Sequence, residues 1–192
     1  MSEVLRQKVL DLLSEALTFQ LNFVAPPIHV RGDGLFRVWA AVTARKIGVR
    51  VGPLPPDTAA LYDKVRNEFV FLSSSFGNTY GEKAAIFHEC VHAMADIEHT
   101  VARAVAEEAA AYVAELMYFR KLISGGRSAR DAYGPGLEPP QAKADEIAER
   151  MLYVDGVWAV PVPDFLELQD IILRHRTYAH LTRADFYPNR GV

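Results

Sequence analysis

The run His88-Glu89-Cys90-Val91-His92 places two histidines four residues apart with a glutamate between them. On a helix those imidazoles lie about one turn apart on one face, where they can grip a single metal ion. Ligand type makes Zn²⁺ the expected cofactor, with Glu89 reaching the activated water as general base. The motif therefore demands a buried helix and a third ligand folded back against it.

Five acidic or imidazole side chains downstream compete for that third position: Asp96, Glu98, His99, Glu107 and Glu108. Glu98 has the spacing used when the chain turns sharply after the second histidine, but such a turn needs glycine where this chain has Ala95. With alanine there the helix continues, and Glu98 and His99 point along it. Glu108 suits a second helix that crosses the first. Val101, Val105, Glu108, Tyr112, Glu115 and Phe119 recur at three- and four-residue steps and form one stripe. A carboxylate within an apolar stripe is costly to bury unpaired, and coordination removes that cost.

The flanking sequence gives the order of elements. Apolar residues from Val4 to Leu21 at helical spacing predict an opening helix over 3–24, ended by Ala25-Pro26-Pro27. A second helix is expected from Leu35 to Lys46, closed by Gly48, followed by a short strand Val49–Val51. Ala59–Tyr62 and Glu68–Ser73 read as the arms of a hairpin, with Glu68–Ser73 as a sheet edge on which an extended substrate can pair. Thr79 and Glu82 form a capping box, which starts the His88 helix near Tyr80. Thr100 is the expected cap of the next helix, which runs to Ile123 and stops at Gly125-Gly126. Arg127–Pro140, rich in Gly and Pro, reads as a mobile loop that can serve as a lid. Helices Gln141–Leu152 and Asp164–Arg176 follow, with a short strand or irregular segment over Val154–Val162.

At 192 residues the chain suits one domain, and a formal net charge of −3 argues against general nucleic-acid binding. Cys90 is the sole cysteine, so no internal disulfide can form, and it reads as a packed small hydrophobe. His29 reads as a surface or strand residue. Ser2–Phe23 is broken by Glu3, Arg6, Lys8, Asp11 and Glu15, unlike a signal peptide, and no apolar run spans a bilayer. The cytoplasm is the expected compartment, and no feature sets the oligomeric state.

The segment Glu108-Ala109-Ala110-Ala111-Tyr112-Val113-Ala114-Glu115-Leu116-Met117 resembles the E-A-x-A-[FY]-x-A-E-L-[LM] run of small single-domain gluzincins. These are compact zinc peptidases related to phage-repressor-cleaving and radiation-response regulators. The strand Phe69–Leu72 followed by Ala85-Ile86-Phe87-His88-Glu89 is similar to their strand-to-helix entry, so the likeness covers about a third of the chain, Ala59–Met117. It implies an α+β fold, a mostly helical zincin-like domain with a small β-sheet before the His88 helix. N-terminal helices would fill residues 1–48, the hairpin and the two site helices 49–123, and C-terminal helices 141–180. It also implies that His88, His92 and Glu108 are metal ligands and Glu89 the base. Tyr112, His175, Tyr178 and His180 are candidates for the oxyanion donor such enzymes add. Tyr112 stands where many gluzincins have an Asp to orient a ligating histidine. The expected activity is endopeptidase cleavage of a protein or peptide substrate. Two other readings stand beside it: a regulatory protein that keeps zinc without cleaving, closed by a fourth ligand such as His99, His175 or His180, and an exported effector protease.

Overall fold

The computed structural model describes residues 2–15, 18, 20–123 and 136–192 and is of the α+β class. Among the described residues the order is α1 (Glu3–Ser14), β1 (Asn22–Ala25), β2 (Ile28–Arg31), α2 (Gly32–Thr43), β3 (Gly48–Val51), β4 (Ala60–Asp63) and β5 (Glu68–Phe71). There follow α3 (Tyr80–Ile97), α4 (Ala104–Leu122), α5 (Pro139–Arg150), β6 (Leu152–Val154), β7 (Val157–Ala159), α6 (Val162–Arg174) and a 3₁₀ turn over Arg176–Tyr178. Two small mixed sheets form, in the orders β2-β1-β7-β6 and β3-β5-β4. No helix among the described residues is long and apolar enough to cross a membrane.

The opening helix is shorter than the apolar spacing predicts. It ends at Ser14, because the Thr18 hydroxyl and the Glu15 amide both turn back onto the Leu12 carbonyl, at 2.8 and 3.3 Å. Beyond it Leu21, Phe23 and Ala25 are buried while Asn22 and Val24 are half-buried, a strand alternation. Residues 1–48 are therefore not wholly helical: β1 and β2 form an antiparallel hairpin around Pro26-Pro27, with His29 on β2. The region 141–180 also carries strands, since Val154 and Val157 pair across Asp155-Gly156. Both turn residues have positive φ, 51° and 86°, as a tight two-residue hairpin turn requires. β7 then pairs in parallel with β1.

α2 ends three residues earlier than expected. Arg45, at φ 58°, takes the left-handed position, while Arg45 and Lys46 donate to Val42 and Ala41. Gly48 opens β3 instead of capping the helix. The hairpin β4–β5 lies where the sequence puts it, but β5 is the central strand, between β3 and β4. Glu68–Ser73 is thus no sheet edge; β3 and β4 are. Gly125-Gly126 and most of Arg127–Pro140, expected as a lid, lie outside the described residues.

α3 and α4 pack along each other and carry the site. α3 begins with the expected capping box: the Glu82 amide donates to the Thr79 hydroxyl and Glu82 accepts from the Thr79 amide. It ends at His99, φ 52°, with the His99 amide on Asp96 and the Thr100 amide on Ala95. This reversal lets a chain without glycine double back. Thr100 therefore closes α3 and does not cap α4. Val101 drops out of the helical stripe and is exposed. On α4, Ala106, Ala109, Ala110, Ala111 and Ala114 are all buried, and side chains this small let two helices approach closely. Phe87 stacks on Tyr118 with ring centroids 4.7 Å apart, fixing the register. Cys90 is buried in the same core.

Candidate metal centre

Twelve residues of α3 are buried, and they include His88, Glu89 and His92. Burying three ionisable groups on one helix is unfavourable unless partners face them, and α4 supplies those partners. Glu108 Oε2 lies 3.4 Å from His88 Nε2, and Glu108 Oε1 lies 3.5 Å from His92 Nε2. Ligands at about 2.05 Å around a tetrahedral ion stand about 3.3 Å from each other, and these separations, one to each Glu108 oxygen, are of that order. The three residues offer donor atoms that lie within 4.8 Å of one another, so this buried group could hold a metal ion. It has no fourth His, Cys, Asp or Glu member among the described residues.

The far side of each imidazole is also fixed. His88 Nδ1 faces Glu115 Oε2 at 3.1 Å, and His92 Nδ1 faces Glu107 Oε1 at 2.7 Å. When those ring nitrogens donate, each Nε2 is left with its lone pair aimed at Glu108, and the ring is both oriented and made more basic. Glu115 is held by the Gln141 amide of α5 at 2.9 Å. Glu107, fully buried, accepts from Lys64 and, at 3.0 Å, from Asn189. Thus Glu107 and Glu115 supply the orienting carboxylates that Tyr112 cannot. Tyr112 instead sets its ring edge-on to His88, centroids 4.8 Å apart.

Glu89 accepts the Tyr62 amide of β4 at 2.7 Å. Burial raises its pKa, opposed by the nearby His88 and His92 and reinforced by Glu108. Burial would lower the His92 pKa, but the Glu108 charge and the Glu107 bond outweigh it and raise it to about 9. His88 is raised well above the ordinary value against the same burial, through bonds to Glu108 and Glu115. Glu108 resists its own burial penalty and is held well below the usual carboxylate range by the two imidazoles.

The raised pKa values of His88 and His92 favour protonated rings, so a divalent ion there competes with protons. At pH 7 its uptake should therefore release protons, readable by calorimetry in buffers of different ionisation enthalpy. Affinity should climb with pH as His92 loses its proton near 9 and as His88, also raised, loses its own. The metal-free fold has the opposite dependence. A raised imidazole pKa contributes stability below the unfolded value of 6.5, and that contribution fades as pH rises through about 9. Uptake without proton release would mean that the imidazoles are neutral before the ion arrives.

Other sequence candidates lie elsewhere. Asp96 is buried but accepts from the Tyr62 hydroxyl and the Arg190 and Gly191 amides, at 3.0, 2.7 and 3.1 Å. Glu98 pairs with Arg31 at 2.8 Å, and the His99 ring faces Gly191. His175 faces Glu138 at 3.3 Å and His180 is exposed, so neither joins the cluster. Tyr178 does adjoin it: its hydroxyl donates to that of Tyr112 at 3.1 Å, and burial with the Glu108 charge raises its pKa. Tyr187, absent from the sequence candidates, donates its hydroxyl to Glu108 and sets its ring edge-on to His92 at 5.8 Å. Tyr187 and Asn189 come from far along the chain and carry no local motif. Glu107 and Glu115, by contrast, were visible as charges in an alanine-rich helix.

No protein-family model, no curated protein and no solved structure matches this chain.

Proposed function

We propose that this chain is a zinc-dependent endopeptidase of the gluzincin kind, built on a zincin-like pair of helices. The observation that carries the reading is the convergence of His88, His92 and Glu108 with Glu89 beside them. A cluster serving structure alone has no need of a buried carboxylate base next to three ligands. Two imidazoles and one carboxylate also suit iron, and Glu89 is what favours hydrolysis over oxygen chemistry. The ion, when bound, lowers the pKa of a water molecule and polarises the carbonyl under attack.

The rest falls to the chain itself. Glu89, its pKa raised by burial, takes the proton from the attacking water and hands it to the departing amine. The Tyr62 amide holds one Glu89 oxygen in place, which fixes where the other points. Tyr178, whose hydroxyl reaches the site beside Tyr112, is the donor toward the developing oxyanion, while Tyr187 keeps its hydroxyl hydrogen on Glu108. The outer edge of β4, which contributes Tyr62, offers backbone groups on which an extended peptide can lie.

Metal removal tests this reading. Zinc-loaded protein should cleave members of a peptide library, chelator-treated protein should cleave none, and added zinc should restore the same cleavage sites. A protein that takes up zinc with 1:1 stoichiometry yet cleaves nothing would favour the regulatory alternative.

A further inference from the structure

We propose that the segment Thr182–Val192 is a strap whose docking sets the metal affinity of the site, with Asn189 as the positioning residue. The inference rests on the metal-site reading above and adds a coupling to it. Asn189 uses both ends of its amide. Its Nδ2 donates to Glu107 Oε2 at 3.0 Å and to the Thr100 carbonyl at 2.9 Å, while its Oδ1 accepts from Lys64 at 2.6 Å. Lys64 in turn donates to Glu107 Oε1, the oxygen that faces His92 Nδ1. Asn189 and Lys64 thus clamp the carboxylate that aims His92.

The other anchors of the strap lie along the same line. The Asp185 carbonyl accepts from the Ala104 amide, an unpartnered donor of the first turn of α4, at 2.8 Å. Arg103 donates to the Ala184 carbonyl at 2.6 Å, and Tyr187 donates to Glu108. The Arg190 and Gly191 amides share Asp96 Oδ1. Phe186 is 52% exposed and lies under the Arg103 guanidinium at 4.1 Å, while the half-buried Tyr187 ring packs on His92 and under Lys64. The strap holds on through hydrogen bonds, and two of its acceptors, Glu107 and Glu108, belong to the metal centre.

A segment bound to the groups that hold a metal must be thermodynamically linked to it. The sign is positive. A carboxylate has lone pairs enough for Glu108 to accept from Tyr187 and still face a metal, and Glu107 is better oriented with Asn189 than without. Docking therefore favours metal uptake, and metal uptake must favour docking by the same factor.

The test measures Zn²⁺ affinity of the full chain by competition with a chromophoric chelator. Asn189→Ala should weaken it about tenfold, the lower end for outer-shell partners of a ligating histidine. Asn189→Asp keeps the shape but replaces the donor with a carboxylate set against Glu107, so it should undock the strap and weaken binding at least as much; with a mere packing role the added negative charge would leave zinc affinity equal or higher. The reciprocal measurement needs no variant. In the wild-type protein, saturating zinc should slow hydrogen exchange of the Arg190 and Gly191 amides by about the same factor. Zinc binding with unaltered exchange and unaltered variant affinities would overturn the strap alone. A wild-type chain that binds no zinc would overturn the site reading and the strap together.

Discussion

Glu89→Gln is expected to take up zinc as the wild type does and to lose cleavage by about 10²–10⁴-fold, the usual contribution of a positioned general base. Glutamine has the same shape, and its amide oxygen can still accept the Tyr62 amide that Glu89 Oε2 accepts at 2.7 Å. What disappears is a proton acceptor. The same change removes one negative charge from a buried set that also holds Glu107, Glu108 and Glu115, so the fold should not suffer. The measurement is turnover of a peptide identified with zinc-loaded wild-type protein, with metal content determined on the same sample. Retained turnover would remove Glu89 from the mechanism, and lost zinc would make it a ligand.

Glu108→Ala should abolish metal uptake and also destabilise the metal-free protein, by about 3 kcal/mol, the low end for breaking a buried ion pair. Glu108 is the common partner of His88 Nε2 and His92 Nε2, at 3.4 and 3.5 Å. Without it the imidazoles retain only Glu115 and Glu107 on their far sides, and their pKa values must fall. They can then escape part of the penalty by losing protons, so the loss should be smaller at pH 8 than at pH 6. Denaturant unfolding at both pH values reads this directly. An equal loss at the two would mean that Glu108 acts through packing and not through charge.

Part of this site is legible in the residues because it is local. His88, Glu89 and His92 depend only on helical period, and the Thr79–Glu82 box that starts their helix is a contact across three residues. Glu108 is legible because a carboxylate in an otherwise apolar stripe needs a reason to be buried. The orienting roles of Glu107 and Glu115 were open to the same argument. The resemblance points instead to the position of Tyr112, whereas the carboxylates that face the two imidazoles stand one residue before and seven after Glu108.

Other features depend on distance or on competing periods. Lys64, Tyr187 and Asn189 reach Glu107 and Glu108 across loops that leave no pattern in the sequence. Leu21 satisfies both the helical spacing that precedes it and the strand alternation with Phe23 and Ala25. The Thr18 hydroxyl and the Glu15 amide, both on the Leu12 carbonyl, end the helix before it. Asp155-Gly156 is a strong turn signal between Val154 and Val157, but flanking runs of three residues carry too little alternation to mark strands.

The parallel pairing of β1 with β7 sets Phe23 beside Trp158 and so joins opposite halves of the polypeptide. Closing so large a loop costs entropy, and neither strand recovers it until the helices between them have collapsed. α3 and α4 meet across a short connection and can dock early. During synthesis, a nascent chain that has not yet reached Trp158 already contains His88, His92 and Glu108. Its β1–β2 hairpin, however, still presents an unpaired border to neighbouring chains. Misassociation on crowded ribosomes should therefore begin at that border, and delivery of β7 is the event that closes it.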